Sequence, residues 1–164
     1  MSESSFSRIL EVLTRHRVDF VVVGGVAAVL HGAPVTTFDL DALIRVDERN
    51  ADRLVAALAE LDARFREHSI VLRPTRSDIL AGGHLLLLTD AGPLDVLGFI
   101  GRNRRYEDLR DAVVHLPLEQ GQVAVLALDE LIRQKQALGR EKDEPALRLL
   151  QEVARQTSPP RGKR

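Results

Sequence analysis

The chain opens with a helical stripe: Phe6, Ile9, Leu10, Val12 and Leu13 recur at helical spacing within residues 4–16, and a serine is available to cap the first turn. Residues 20–23 (FVVV) form a short continuous apolar run rich in valine, the pattern of a buried strand. Gly24 and Gly25 end it. Residues 26–31 read as a short helix that Gly32 and Pro34 break, and residues 38–44 (FDLDALI) read as a second strand. Across residues 47–65 the spacing of Ala51, Leu54, Val55, Leu58, Ala59 and Leu61 predicts an amphipathic helix capped by Asp47.

Residues 66–73 are ambiguous, with a short strand around residues 70–72 as one reading, and a polar connection containing Gly82 and Gly83 follows. The apolar runs 84–89 and 94–100, joined by a tight turn at 90–93, predict a hairpin. A short basic helix is expected within 102–110. Two more strands, 112–116 and 122–126, flank a turn at 119–121, and residues 129–138 and 143–156 have amphipathic helical periodicity. The polar, proline-containing tail, residues 158–164, is expected to be disordered. With no internal repeat and no linker, the expectation is one domain over residues 1–157. Its class is α+β, or α/β with a mixed sheet.

Composition adds exclusions. A chain of 164 residues with 45% apolar and 29% charged residues has the make-up of an ordinary soluble domain. Its net charge of −1 gives no bulk attraction to nucleic acid or anionic membrane. The absence of cysteine removes disulfides and thiolate metal sites, which suits a reducing cytosol. The first ten residues lack the pattern of a signal peptide, and the longest apolar stretch, residues 20–30, is too short to span a bilayer. A cytoplasmic protein with no membrane partner is the expectation.

Two carboxylates change the picture. Asp39 and Asp41 lie two apart in the expected second strand, so both point to one face, while Phe38, Leu40 and Leu43 would hold that strand in the core. Adjacent carboxylates repel, and burying them is costly unless cations compensate. Magnesium prefers such hard oxygen ligands and is commonly shared between carboxylates and substrate phosphates. Asp95, in GPLDVLGFI, is a third acidic residue inside an apolar strand. Three carboxylates on strands can hold two metal ions about 4 Å apart, an arrangement that stabilises both the attacking and the leaving oxygen in phosphoryl displacement.

The glycine pair between strand and helix allows a phosphate to approach helix N–H groups. It is neither a P-loop, since no Gly-Lys-Ser/Thr follows, nor a dinucleotide fingerprint. Singly, a glycine turn is more often structural, and a lone Asp-x-Asp is more often a cap or a solvated strand end. The combination is far more specific. No histidine spacing suggests zinc. His31 reads equally as a packing residue and a substrate contact, whereas Lys135 is more often a solvated or snorkelling side chain than a phosphate ligand. Residues 102–105 (RNRR) read first as a solvated loop and second as an RNA contact.

The run containing Gly24, Gly25, Ala27, His31, Gly32, Thr37, Asp39 and Asp41, followed by Asp95, resembles the nucleotidyltransferases of the DNA polymerase beta superfamily. The small single-domain prokaryotic members are the nearest likeness: minimal nucleotidyltransferases, abortive-infection toxin-like proteins and lincosamide-type transferases. Lys135, Arg140, Lys142 and Asp143 resemble their C-terminal lysine helix and Arg-x-Lys-Asp segment. The resemblance spans roughly residues 5–153.

It implies an α+β nucleotidyltransferase fold, with a mixed sheet flanked by helices. It also implies transfer of a nucleoside monophosphate from a nucleoside triphosphate to a hydroxyl or phosphate. On this reading Gly24, Gly25, Thr37 and Lys135 bind nucleotide, and Asp39, Asp41 and Asp95 are catalytic and hold two Mg2+ ions, with Mn2+ as a substitute. Asp95 also helps to deprotonate the acceptor.

The implied acceptors are a small molecule, tRNA or a partner toxin protein, and a homo-oligomer is an open arrangement. Two alternatives stand beside this reading. One is an inactive component of a toxin–antitoxin or abortive-infection pair that acts by protein association, and the other is an RNA-binding protein using the basic 102–110 region. One position departs from the relatives: Val35 stands where many carry arginine, and Arg73, Arg76, Arg102, Arg104, Arg105 and Lys135 are available replacements.

Overall fold

The computed structural model describes residues 3–119 and 121–158. The valine run forms β1 (Phe20–Val23), every residue of it buried, and the glycines begin α2 (Gly24–Leu30). Ahead of them lies α1 (Glu3–Arg15), and β2 (Leu40–Ile44) and α3 (Glu48–Glu60) follow. Asp47 caps α3 as expected, its carboxylate accepting from the Asn50 N–H at 2.7 Å. The helix is shorter than its periodicity suggests. Asp62 takes a positive φ of 53°, the Ala63 N–H closes back on the Leu58 carbonyl, and the chain leaves into β3 (Arg64–Phe65).

A five-residue helix, α4 (Arg76–Leu80), occupies what reads in sequence as a polar connection. Thr75 and Asp78 form a reciprocal capping box at its start. The expected hairpin is β4 (His84–Thr89) and β5 (Gly92–Leu97), and a second consists of β6 (Val113–Leu118) and β7 (Gly121–Leu126). No helix forms over the basic residues 102–105, which make a turn closed by an Ile100–Arg104 bridge, and a 3-10 helix follows over Tyr106–Ala112. Helices α5 (Leu128–Leu138) and α6 (Glu144–Thr157) close the chain. The segment expected to be a disordered tail lies, beyond Ser158, outside the described residues.

The strands of the described residues join one seven-stranded sheet in the order β3-β4-β5-β2-β1-β7-β6. The β1–β7 and β2–β5 pairs are parallel and the others antiparallel, so the sheet is mixed and the class is α+β. The core is aliphatic, with Ile9, Leu13, Leu40, Leu43, Leu54, Leu58, Leu87, Leu94 and Leu126 essentially inaccessible to water. Each such leucine contributes about 1.5–3 kcal/mol by burial.

Two expectations near the second strand need correction. The strand begins at Leu40, so Asp39 precedes it, and Phe38 is 68% exposed rather than a core anchor. Residues 70–72 form no strand. Ile70 and Val71 are exposed in the connection after β3.

Candidate active site

Strand register places the carboxylates. Val23, the last residue of β1, pairs with Asp41 on β2, and Asp41 pairs with Asp95 on β5. Residues directly opposite on neighbouring strands share a face of the sheet, so Asp41 and Asp95 stand side by side. Asp39 joins them from the loop just before β2. The two-residue spacing read in sequence therefore brings Asp39 and Asp41 to one place, although only Asp41 belongs to the strand.

The glycine pair is fitted to these side chains. Gly24 has φ +67°, a conformation that favours glycine, and a Cβ there would overlap the Oδ2 of Asp41. A Cβ on Gly25 would come within 2.5 Å of the Thr37 hydroxyl. That hydroxyl donates to the Asp39 carbonyl at 3.2 Å. Gly24, Gly25, Thr37, Asp39, Asp41 and Asp95 thus form one constellation at the end of the central strands.

Its electrostatics are strained. Burial, and then the charges of Asp95 and Asp39 and a hydrogen bond with Asp95, push Asp41 up to about 7, with Arg66 pulling the other way. At neutral pH Asp41 is poised between its two protonation states. Close-set hard oxygen donors, one of them held well above the usual carboxylate range, suit a divalent metal such as magnesium. Among the described residues no group of three or more acidic or histidine side chains forms a ready-made metal cage.

A cation is already present, from an unexpected source. Arg66 directs one guanidinium nitrogen at Asp95 Oδ1, at 2.5 Å, and the other at Asp39 Oδ1, at 3.5 Å. Its own N–H donates to Leu86, and Leu86 pairs with Asp95. Arg66 therefore extends the row Val23–Asp41–Asp95–Leu86 by one position. Sequence reading missed it because the pairing of two-residue β3 with β4, which sets its position, leaves no periodic signal.

The cations named in advance lie elsewhere. Arg73 pairs with Asp62 and Arg76 with Asp52, each at 2.7 Å. Arg104 reaches Glu130, a buried residue of α5 that Arg133 also contacts at 3.1 Å, while Arg102 and Arg105 are exposed. Val35 packs against the hydrophobic core. Lys135 is ion-paired with Asp143 at 3.7 Å rather than with the three aspartates, and Arg140 holds the same carboxylate at 2.5 Å. Burial pushes Asp143 up, but the Arg140 hydrogen bond and the surrounding positive charges leave it below its usual value. His31 takes the packing role, its ring nitrogen meeting the Leu126 carbonyl at 2.8 Å and tying α2 to β7.

A cleft of about 770 Å³ lies between α1 and the β6–β7 hairpin, but none of the three aspartates lines it. No helix among the described residues is long and apolar enough to cross a membrane.

Comparison with solved structures agrees with this fold. A Thermotoga maritima protein provisionally assigned as a nucleotidyltransferase is similar over 93% of this chain and 96% of its own, with a TM-score of 0.57 and 20% identity. The lincosamide antibiotic adenylyltransferase LnuA, solved with lincomycin bound, matches 93% of this chain and 98% of its own, with a TM-score of 0.64 and 12% identity. This chain has the nucleotidyltransferase fold.

The antibiotic-resistance factor ANT(2'')-Ia shares that fold over 92% of this chain and 83% of its own, with a TM-score of 0.60 and 13% identity. No protein-family model matches the sequence, and no curated protein does. In this nucleotidyltransferase fold the aspartates sit where β1 ends and β2 begins, with α2 starting against them.

Proposed function

We propose that this protein is a metal-dependent nucleotidyltransferase, moving a nucleoside monophosphate from a nucleoside triphosphate to an acceptor hydroxyl or phosphate. The observation that carries this reading is the pairing of Asp41 with Asp95 beneath Gly24, with Asp39 alongside. Asp39, Asp41 and Asp95 are the residues that would hold divalent cations, which supply charge neutralisation at the reacting phosphate. Gly24 and Gly25 leave the backbone bare where the triphosphate would approach, and Thr37 braces the loop that carries Asp39.

In the transfer an acceptor oxygen bonds to the α-phosphorus, the bond to the bridging oxygen breaks, and pyrophosphate leaves. Asp95 receives the acceptor's proton. Lys135 contributes through its tie to Asp143 and the placement of α5. Neighbours of this fold include an adenylyltransferase solved with lincomycin, which makes a small hydroxylated molecule the first acceptor to try.

The test is label transfer from each α-labelled nucleoside triphosphate with Mg2+, offered lincomycin, bulk tRNA, or no acceptor, the last to detect self-labelling. Wild type should transfer label in at least one arm, and Asp39→Asn and Asp95→Asn should lose about a thousandfold. Equal label transfer by wild type and both variants would remove the aspartates from the chemistry.

A further inference from the structure

The three aspartates bring their own counter-ion. Arg66 is three-quarters buried, spans Asp39 and Asp95 with its two terminal nitrogens, and is anchored by its N–H to Leu86 in the sheet. A planar guanidinium between two carboxylates is a strong charge-assisted arrangement, and it engages one oxygen of each that could otherwise serve a cation. The chain beyond it runs into the exposed 67–73 stretch, and the long arginine side chain can swing while its backbone stays fixed.

The geometry points to Arg66 as the positioning residue of this site: an internal cation that holds Asp39 and Asp95 in place and is displaced when a divalent cation binds. This rests on the proposed metal-dependent activity and adds a residue and an exchange to it. A cation entering the site must break the Arg66 contacts, so the protein's metal affinity is lower than its carboxylates alone would give. A purely structural arginine predicts the reverse, because removing it would loosen the carboxylates and weaken metal binding.

The experiment titrates the intact protein with Mn2+ without nucleotide, following free Mn2+ by electron paramagnetic resonance, for wild type, Arg66→Gln and Arg66→Lys. Arg66→Gln should bind Mn2+ about tenfold more tightly, and Arg66→Lys, which keeps the charge but loses the fork, should fall between. Thermal melts of the same proteins check folding: Arg66→Gln should melt below wild type in chelator and gain more from Mn2+ than wild type does. Equal or weaker Mn2+ binding by Arg66→Gln overturns the exchange; if wild type still transfers nucleotide, the functional reading survives. If neither protein binds Mn2+ and wild type transfers nothing, both fall.

Discussion

The two ends of the central strands solve opposite problems. Where β1 begins and β2 ends, Asn50 is 1% exposed and fully engaged. Its amide donates to the Asp19 and Arg45 carbonyls at 3.0 and 2.7 Å, and its carbonyl oxygen accepts from the Asp19 N–H at 2.7 Å. One uncharged side chain thus joins the first turn of α3 to both strands and leaves no polar group stranded. Where β1 ends and β2 begins, acidic side chains crowd one another, Asp41 is held well above the usual carboxylate range, and an arginine from across the sheet bridges two of them. The first end is built for stability, and the second holds charge that another cation would relieve.

Substitutions at the two ends should therefore differ in what they change: stability alone at the satisfied end, and transfer as well at the charged end. The largest change in stability is expected at the satisfied end. Asn50→Ala strands the Asp19 N–H and the Arg45 carbonyl, while the Asp19 carbonyl keeps the Arg45 N–H, and should cost about 3 kcal/mol, lowering the melting temperature by roughly 6–12 °C while leaving nucleotide transfer within about twofold at temperatures where the protein is folded. Gly24→Ala comes next. A Cβ in the left-handed region, pressed on Asp41, should cost about 2 kcal/mol, and unlike Asn50→Ala it should also abolish most transfer. A Gly24→Ala protein with full activity would mean that the contact with Asp41 has no functional part.

The third substitution changes stability in the opposite direction. Asp41 titrates near 3.8 when unfolded and near 7 when folded, so the folded protein binds the extra proton between those values. The cost of charging Asp41 is absent below about pH 4, grows as pH rises, and is complete above about pH 7. Asp41→Asn should therefore raise the melting temperature in chelator by several degrees at pH 8 and leave it unchanged at pH 4, as read by paired melts. A lower melting temperature at pH 8 would show that the carboxylate stabilises the fold.

The same contrast explains what the sequence discloses. The apolar runs and their breakers locate β1, α2, both hairpins and the last two helices, because buried strands and amphipathic helices leave periodic marks. The carboxylates are visible because acidic residues in apolar strands violate that pattern. Thr75-x-x-Asp78 carries the capping signal for α4, and could have revealed that helix.

Arg66 and Asn50 are hidden for a different reason. Each is an ordinary polar residue made significant by partners 29 and 31 positions away, Asp95 and Asp19, and only strand pairing or helix docking brings those together. Phe38 misleads in the opposite sense. Its aromatic ring suggests a core position, yet the chain reaches β2 only two residues later.

The central claim is that the charged end of the strands transfers nucleotide, and the direct test is pyrophosphate release with transfer of α-label by wild type, Asp95→Asn and Asn50→Ala side by side in Mg2+. The account predicts transfer by wild type and Asn50→Ala, and loss of about a thousandfold in Asp95→Asn. Equal rates for wild type and Asp95→Asn, or no transfer by folded wild type with any nucleoside triphosphate and acceptor tried, would contradict it.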